Sequence, residues 1–148
     1  MPTPVESAKS AFDAGYSCSQ SVLIAFAERY GLEFELARRI AAPFGAGISR
    51  QGQMCGAVSG ALMVIGLHEW DDEDDIRPNK ERIYQRSQAF MGRFAEGHGS
   101  VLCSELVKVD WNDPEQVQLA RQDGRFDSIC PALVWDAVAL LEEFTGQH

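Results

Sequence analysis

Residues 54–67 read MCGAVSGALMVIGL, and this stretch decides the fold because it joins a cysteine to a long apolar run. Between Cys55 and Leu67 the one polar side chain is that of Ser59. A run this short cannot cross a bilayer, which needs about 20 apolar residues. The stretch therefore predicts the central helix of a soluble helical bundle.

Small residues recur at one-turn spacing along this helix. Gly56 lies one turn before Gly60, and Ala57 lies one turn before Ala61, so another backbone can approach closely. Each glycine inside a helix costs about 1 kcal/mol relative to alanine. The pattern fits two interpretations, which are close helix packing alone and packing that also brings Cys55 against other sulfurs.

The composition narrows the class of protein. A chain of 148 residues with 45% hydrophobic residues is the size of one globular domain, 1–148. Its net charge of -9 argues against nucleic acid and anionic lipid as partners, because both bind basic surfaces. We expect no membrane insertion. The first residues carry neither a basic flank nor an apolar run, which favours the cytoplasm, where cysteines are reduced, metal-bound or redox-cycling.

Helix start and stop signals predict an all-α compact bundle of about six to eight helices, without the alternating runs typical of strands. Ser17 and Gln20 form a capping-box pattern, whereas Pro131 is a favoured first helical residue and makes Cys130 a predicted cap. The predicted helices are 4–14, 17–30, 33–42, 55–67, 79–95 capped by Asn79, 100–107 capped by Ser100, one capped by Asp113, and 131–144. The apolar residues expected to face inward on helix 33–42 are Phe34, Leu36, Ala37 and Ile40.

The four cysteines share a predicted position. Each falls in the first turn, or at the cap, of a predicted helix: Cys18, Cys55, Cys103 and Cys130. A helix N-terminus carries about half a positive charge, which stabilises a thiolate and lowers the pKa of the thiol below its free value of about 8.5. Thiolates are the form that ligates metals and exchanges disulfides. The alternative is that these cysteines are small apolar side chains that fill a core.

No two cysteines are close in sequence, so a shared site must be assembled by the fold. This spacing excludes the Cys-x-x-Cys pairs of zinc ribbons and thioredoxin-like proteins, and the Cys-x-x-Cys-His of a c-type haem. Among the histidines, His98 in a Gly-His-Gly turn is a candidate for a further site residue, whereas His68 and His148 are expected on the solvent side.

Several segments resemble a known family in order and rough spacing. They are GYSCSQ at 15–20, FGAG at 44–47, CGAVSG at 55–60, and the downstream Cys103 and Cys130. This pattern is similar to the C_GCAxxG_C_C family, which has a Cys-Gly-Ala-x-x-Gly motif and four characteristic cysteines. The resemblance implies a redox or electron-transfer role. A similar four-cysteine region in split-Soret cytochromes is associated with an iron-sulfur cluster, although their haem-attachment part is missing here.

The main hypothesis is that the four cysteines converge in one partly buried pocket. There they would ligate an iron-sulfur cluster or cycle between dithiol and disulfide, and Gly56 and Gly60 would let backbone N–H groups approach the sulfurs or the cluster. The alternatives are a structural zinc site and a helical interaction module whose cysteines only pack. The sequence names no redox partner, and no catalytic set defines an enzyme reaction.

The tryptophans suggest self-association. We expect Trp70, Trp111 and Trp135 to be exposed, which gives a helical domain of this size more apolar surface than one compact unit hides. The chain is therefore predicted to form a homodimer, which sedimentation at high protein concentration would detect.

Overall fold

The computed structural model describes residues 2–146 and confirms an all-α fold. In the described residues there are eight right-handed α-helices and no β-strand. The helices are α1 Pro4–Asp13, α2 Cys18–Ala27, α3 Phe34–Ala41, α4 Gly56–Glu69, α5 Ile76–His98, α6 Cys103–Leu106, α7 Pro114–Gln122 and α8 Arg125–Thr145. Between α3 and α4, Gly45–Arg50 contains a left-handed turn. Across 2–146, none of the helices is both long and apolar enough to traverse a bilayer.

Helix α4 lies at the centre of the bundle, as the sequence predicts, and packs against α2, α5 and α8. Its first residues, 56–61, are all buried. A Cβ added at Gly56 would lie 2.9 Å from the Ser19 nitrogen in α2, and one added at Gly60 would lie 2.7 Å from the Ser19 carbonyl oxygen. Both distances are shorter than van der Waals contact. Because glycine has no side chain at these two positions, the backbone of α2 can lie this close to α4.

The start of α2 is fixed by the capping box that the sequence predicts. The Ser17 hydroxyl accepts from the Gln20 backbone N–H, and the Gln20 side-chain oxygen accepts from the Ser17 N–H at 3.0 Å. The Gln20 side-chain nitrogen donates to the Arg38 carbonyl at 2.8 Å, which ties α2 to α3. Cys18 is thereby held at the first helical position.

The last helix begins earlier than predicted, so the prediction that Cys130 caps it is wrong. Helix α8 starts at Arg125, and Pro131 lies inside it. A proline removes one helical N–H and crowds the carbonyl four residues earlier, but its fixed φ is compatible with a helix. The side chain of Asp123 supports the preceding turn by accepting from the Arg125 N–H at 2.9 Å. Cys130 therefore lies in the second turn of α8.

Helix α3 turns a different face to the core than predicted. Ala37 is buried as expected, but Phe34, Leu36 and Ile40 are 47%, 46% and 50% exposed. The small side chains of Ala37 and Ala41 let the backbone of α3 lie close against α2. With that narrow face in contact, the larger apolar side chains remain outside.

Asn79 does not cap α5 as predicted, because the helix begins a turn earlier, at Ile76. The Asn79 side chain is buried and binds the acidic turn that precedes the helix. Its oxygen accepts from the Asp71 N–H at 2.8 Å, and its nitrogen donates to the Asp75 carbonyl at 3.0 Å. The acidic run is thus folded back onto the first turn of α5.

Only Trp70 of the three tryptophans is exposed, at 44%. Trp111 and Trp135 are half-buried, and their indole nitrogens are shielded from solvent. The amine of Lys9 lies 5.0 Å from the centroid of the Trp135 ring and covers it. The apolar surface that suggested a homodimer is therefore smaller than expected at these positions, and the homodimer stays a prediction.

Gly60→Ala is expected to lower the free energy of unfolding by about 1–3 kcal/mol, because the new methyl group overlaps the Ser19 carbonyl. Gly66→Ala in the same helix is the matched control. Nothing lies within 4 Å of a Cβ at Gly66, so alanine there should stabilise the protein by up to about 1 kcal/mol. Urea unfolding measures both variants, and equal midpoints would contradict the close α2–α4 contact.

Candidate functional site

All four cysteines line one cavity of about 220 Å³, although they come from four different helices or helix starts. Cys18 begins α2, Cys55 precedes α4, Cys103 begins α6 and Cys130 lies within α8. Cys55 and Cys103 are buried, the other two are half-buried, and all four are free thiols. The fold thus brings together residues that are far apart in sequence.

A short backbone bridge holds Cys55 and Cys103 beside each other. The Cys55 N–H donates to the Val101 carbonyl at 2.7 Å, and the Cys103 N–H donates to the Gln53 carbonyl at 2.6 Å. These bonds belong to the isolated antiparallel bridge between the two segments. The positions of both cysteines are therefore set by backbone hydrogen bonds rather than by side-chain packing alone.

The helix that starts at Cys103 is shorter than predicted, because α6 is one turn long and begins after Leu102. Ser100 does not cap a helix as predicted. Its hydroxyl accepts from the Leu102 N–H at 3.0 Å, in the extended segment before α6. The Ser104 N–H donates to the Gly52 carbonyl at 3.2 Å. The first backbone N–H groups of α6 are thus hydrogen-bonded to residues 52 and 53.

The segment before α4 contains a strained left-handed turn. Five successive residues, 46–50, have positive φ, and four of them are not glycine. Left-handed backbone costs about 1–2 kcal/mol for each such residue. The turn is closed by the Gln53 N–H, which donates to the Gly47 carbonyl at 2.9 Å. Because Ala46 and Gly47 line the cavity, the strain lies at the site itself.

Two glycines let the cysteines approach their neighbours. A Cβ added at Gly47 would lie 2.6 Å from the Cys103 Cβ, and one added at Gly56 would lie 3.1 Å from the Cys18 Cβ. Gly56 also lines the cavity. Gly60, predicted as a second glycine beside the sulfurs, instead lies one turn further along α4 in the contact with α2.

Cys18 and Cys130 shift each other's pKa values in opposite directions. Interaction with the Cys130 side chain raises the pKa of Cys18 well above its usual value, and burial raises it further. The Cys18 side chain lowers the pKa of Cys130 and outweighs burial and the nearby Asp127 carboxylate, which both act to raise it. Cys130 is therefore the stronger acid of the two thiols.

The other two cysteines are weaker acids than their helix-start positions predict. Burial raises the pKa of Cys55 to about 12, although the N–H groups of Ala57 and Val58 act to lower it. Burial also raises the pKa of Cys103, and the Trp111 indole opposes this. That indole N–H finds no hydrogen-bond partner of ordinary geometry among residues 2–146, so burial decides the direction. Losing water around a thiolate thus outweighs the partial charge of the helix start.

The rim of the cavity is aromatic and carries one carboxylate. Its half-buried aromatic residues are Phe12, Tyr16, Trp111 and Phe126. The rings of Trp111 and Phe126 stack with centroids 5.2 Å apart. Asp127 is exposed and lies three residues before Cys130, on the same side of α8. The sequence analysis missed Phe126 and Asp127 because the predicted last helix began after them. A helix predicted to start at residue 125 would have placed Asp127 one turn before Cys130.

The histidines in the described chain lie away from this cavity. The Nε2 atom of His98 is 3.1 Å from the Oδ2 atom of Asp136. The structure therefore does not support His98 as a further residue of the cysteine site. The Nδ1 atom of His68 is 2.9 Å from the Tyr30 hydroxyl and is half-buried rather than on the solvent side. His148 lies outside the described residues.

Four cysteine sulfurs are a donor set for both zinc and iron-sulfur clusters. Within 2–146, however, no three or more Cys, His, Asp or Glu side chains are grouped so as to hold a metal ion. An iron-sulfur cluster is larger than one ion and binds thiolates around its outside, so four cysteines that line a common cavity remain a suitable donor set.

The described chain is thus an all-α protein in which four cysteines line one apolar cavity. The family model described as "Putative redox-active protein (C_GCAxxG_C_C)" matches residues 16–144, and the chain belongs to this family. No curated protein and no solved structure matched the chain.

Cys18→Ala is expected to raise the pKa of Cys130, because it removes the side chain that lowers this pKa. Iodoacetamide reacts with the thiolate, so the midpoint of the pH profile for Cys130 alkylation should move upward and the rate at pH 7 should fall. Peptide mass spectrometry measures labelling at Cys130 alone. Cys18→Ser retains a side chain that can donate a hydrogen bond and should keep a lowered midpoint, whereas an unchanged midpoint in Cys18→Ala would show that Cys18 does not lower the pKa of Cys130.

Gly47→Ala should destabilise the protein more than Gly31→Ala. Both glycines have positive φ, at +64° and +74°, so alanine strains the backbone at either position by about 1–2 kcal/mol. Only Gly47 has close neighbours, with the Cys103 Cβ 2.6 Å from the added methyl group. Gly47→Ala should therefore cost about 1–3 kcal/mol more in urea unfolding. Similar losses in both variants would show that the turn does not press against Cys103.

Proposed function

We propose that this protein is a two-electron thiol redox protein in which Cys130 is the reactive thiolate and Cys18 is its resolving thiol. The observation that supports this most directly is that Cys18 and Cys130 are the two half-buried free thiols of one cavity. Their interaction also shifts the two pKa values in opposite directions. Disulfide exchange needs one cysteine that ionises readily and a second one within reach of it. The family description as redox-active agrees with such a role.

The proposed reaction oxidises the protein by two electrons at the expense of a disulfide on a redox partner. The Cys130 thiolate attacks one sulfur of that disulfide, a mixed disulfide forms, and the other sulfur leaves as a thiolate. Cys18 then loses its proton to the leaving thiolate or to water, and its sulfur attacks that of Cys130. The second partner sulfur leaves as a thiolate and takes up a proton from water, so the products are one Cys18–Cys130 disulfide and two partner thiols.

Cys55 and Cys103 have a different part in this proposal. Both are buried and have raised pKa values, so neither competes with Cys130 as a nucleophile at neutral pH. Their backbone N–H groups are tied into the bridge between residues 52–55 and 101–104. They form the inner wall of the cavity and remain reduced while the outer pair cycles.

A second candidate function is ligation of an iron-sulfur cluster, and the observation that favours it is that all four cysteines, not only two, line the cavity. Cys18, Cys55, Cys103 and Cys130 would be the ligands. A bound cluster would supply one-electron transfer. Ligation requires thiolates, so loading must release the protons that burial favours on Cys55 and Cys103.

Anaerobic purification with metal analysis and a visible spectrum separates the two candidates. The thiol proposal predicts a colourless protein with four titratable thiols and no stoichiometric iron or zinc. Stoichiometric iron and sulfide with visible absorption would establish the cluster, and loss of that absorption in each of the four cysteine variants would identify the ligands. Stoichiometric zinc without colour would establish a structural metal site instead.

One equivalent of an oxidant such as diamide should remove two thiols per chain and link Cys18 to Cys130. Peptide mapping by mass spectrometry under acid quench identifies the bond. Cys103→Ala is the matched control and should still form that disulfide, whereas Cys130→Ala should not. A bond between Cys55 and Cys103 in the wild-type protein would contradict the assignment of the outer pair.

The proposal also specifies a compartment and a kind of partner. A dithiol that must be regenerated suits a reducing compartment, so we place the protein in the cytoplasm. Its partner is a thiol or disulfide redox protein or a small disulfide. The net charge of -9 disfavours nucleic acid as a ligand.

A further inference from the structure

The cavity between the cysteines is small and apolar. Besides the sulfurs, its wall includes the carbon-rich side chains of Phe12, Tyr16, Leu106, Val107, Trp111 and Leu133. Its volume of about 220 Å³ lies below the range of about 300–1,000 Å³ for drug-sized ligands. It exceeds the cavity of about 150 Å³ that takes up one benzene molecule. One aromatic ring with a short substituent is therefore the size of group that fits.

The electrostatics of the rim favour groups without negative charge. Among the described residues that line the cavity there is no Lys, Arg or His, and Asp127 is the one carboxylate. Asp127 lies three residues before Cys130 on α8 and lines the cavity together with it. Arg125, two residues before Asp127, does not line the cavity. Its guanidinium donates to the Val107 and Lys108 carbonyls at 3.2 and 2.7 Å and forms an ion pair with Asp123 at 2.9 Å. The net charge of -9 adds to the negative potential.

From these two features, and resting on the function proposed above, we propose that the cavity binds one ring-sized, uncharged arm of a small disulfide and that Asp127 selects against anionic disulfides. Binding brings one substrate sulfur to Cys130, which attacks it, while the distal half of the substrate leaves as a thiolate. Cys18 then displaces the bound half. The protein gains one disulfide, and the substrate is reduced to two thiols.

Stopped-flow oxidation of the reduced 148-residue protein tests this with three probes. 4,4′-Dithiodipyridine has uncharged rings, 5,5′-dithiobis(2-nitrobenzoate) has rings that carry carboxylates, and cystamine is cationic and has no ring. Each rate constant is divided by that of a small model thiol with the same probe, which removes the intrinsic reactivity of the disulfide. We expect the normalised rate for the uncharged ring to exceed that for the anionic ring roughly tenfold.

Asp127→Asn should raise the normalised rate with the anionic probe roughly threefold to tenfold relative to the uncharged probe. The substitution alters the ionisation of Cys130 equally for every probe, so the ratio between probes isolates the selection. Asp136→Asn is the matched control, because it removes the same charge from α8 at a carboxylate that pairs with His98 outside the cavity. In Asp136→Asn the ratio of the anionic-probe rate to the uncharged-probe rate should equal that of the wild type. Leu106→Trp fills the cavity and should slow the uncharged ring probe but not cystamine.

The outcomes distinguish this inference from the proposed function. A probe ratio unchanged in Asp127→Asn, or changed equally in Asp136→Asn, overturns the selection by Asp127. A ring probe that Leu106→Trp slows no more than cystamine overturns binding in the cavity. Either result is still compatible with the proposed thiol function, provided that Cys130→Ser no longer reacts with the probes. If Cys130→Ser reacts as fast as the wild type with all three probes, the proposed function itself fails.

Discussion

The close contact between α2 and α4 is the constraint on which the rest of the structure depends. Ser19 supplies the backbone on one side, and Gly56 and Gly60 supply the missing side chains on the other. Cys18 immediately precedes Ser19, and Cys55 immediately precedes Gly56. The distance between the two helices therefore also sets where two of the four sulfurs lie. A bulkier residue in this contact would move cavity-wall residues as well as reduce the free energy of unfolding.

Burial and hydrogen bonding compete at the cysteines, and the balance differs from one thiol to the next. Cys18, Cys55 and Cys103 begin helices or precede one, yet their pKa values are raised. Cys130 lies inside α8 and has the one lowered pKa among the four thiols, because its interaction with the Cys18 side chain lowers it. A helix N-terminus contributes a partial charge, whereas a direct hydrogen bond acts on the sulfur itself. The reactive thiol is thus identified by its neighbour rather than by its place in a helix.

Features that depend on local sequence were predictable, and features that depend on tertiary contacts were not. The glycine and alanine rows at 56–61 and the capping box at Ser17 predicted the central helix and the position of Cys18. One tertiary feature is an exception: the convergence of the cysteines in one cavity was predicted from their shared position at predicted helix starts, although Cys130 does not have that position. Pro131 misled the prediction of the last helix, since a proline is tolerated inside a helix when its neighbours support the turn. The exposed face of α3 depends on which side α2 covers, which periodicity alone does not decide.

The left-handed turn at 46–50 could not be predicted from the sequence, in which only the glycines of this segment indicate unusual backbone conformations. Four non-glycine residues with positive φ carry strain of about 1–2 kcal/mol each, which is a large share of the roughly 5–15 kcal/mol that stabilises a domain. Such a turn persists only if contacts elsewhere offset it. Gly47 meets both Cys103 and the backbone of Gln53, and Gln53 in turn accepts from the Cys103 N–H. The turn therefore positions the residues that pair with Cys103 and that precede Cys55. Its strained conformation serves to assemble the inner wall of the cavity rather than to stabilise the helical bundle.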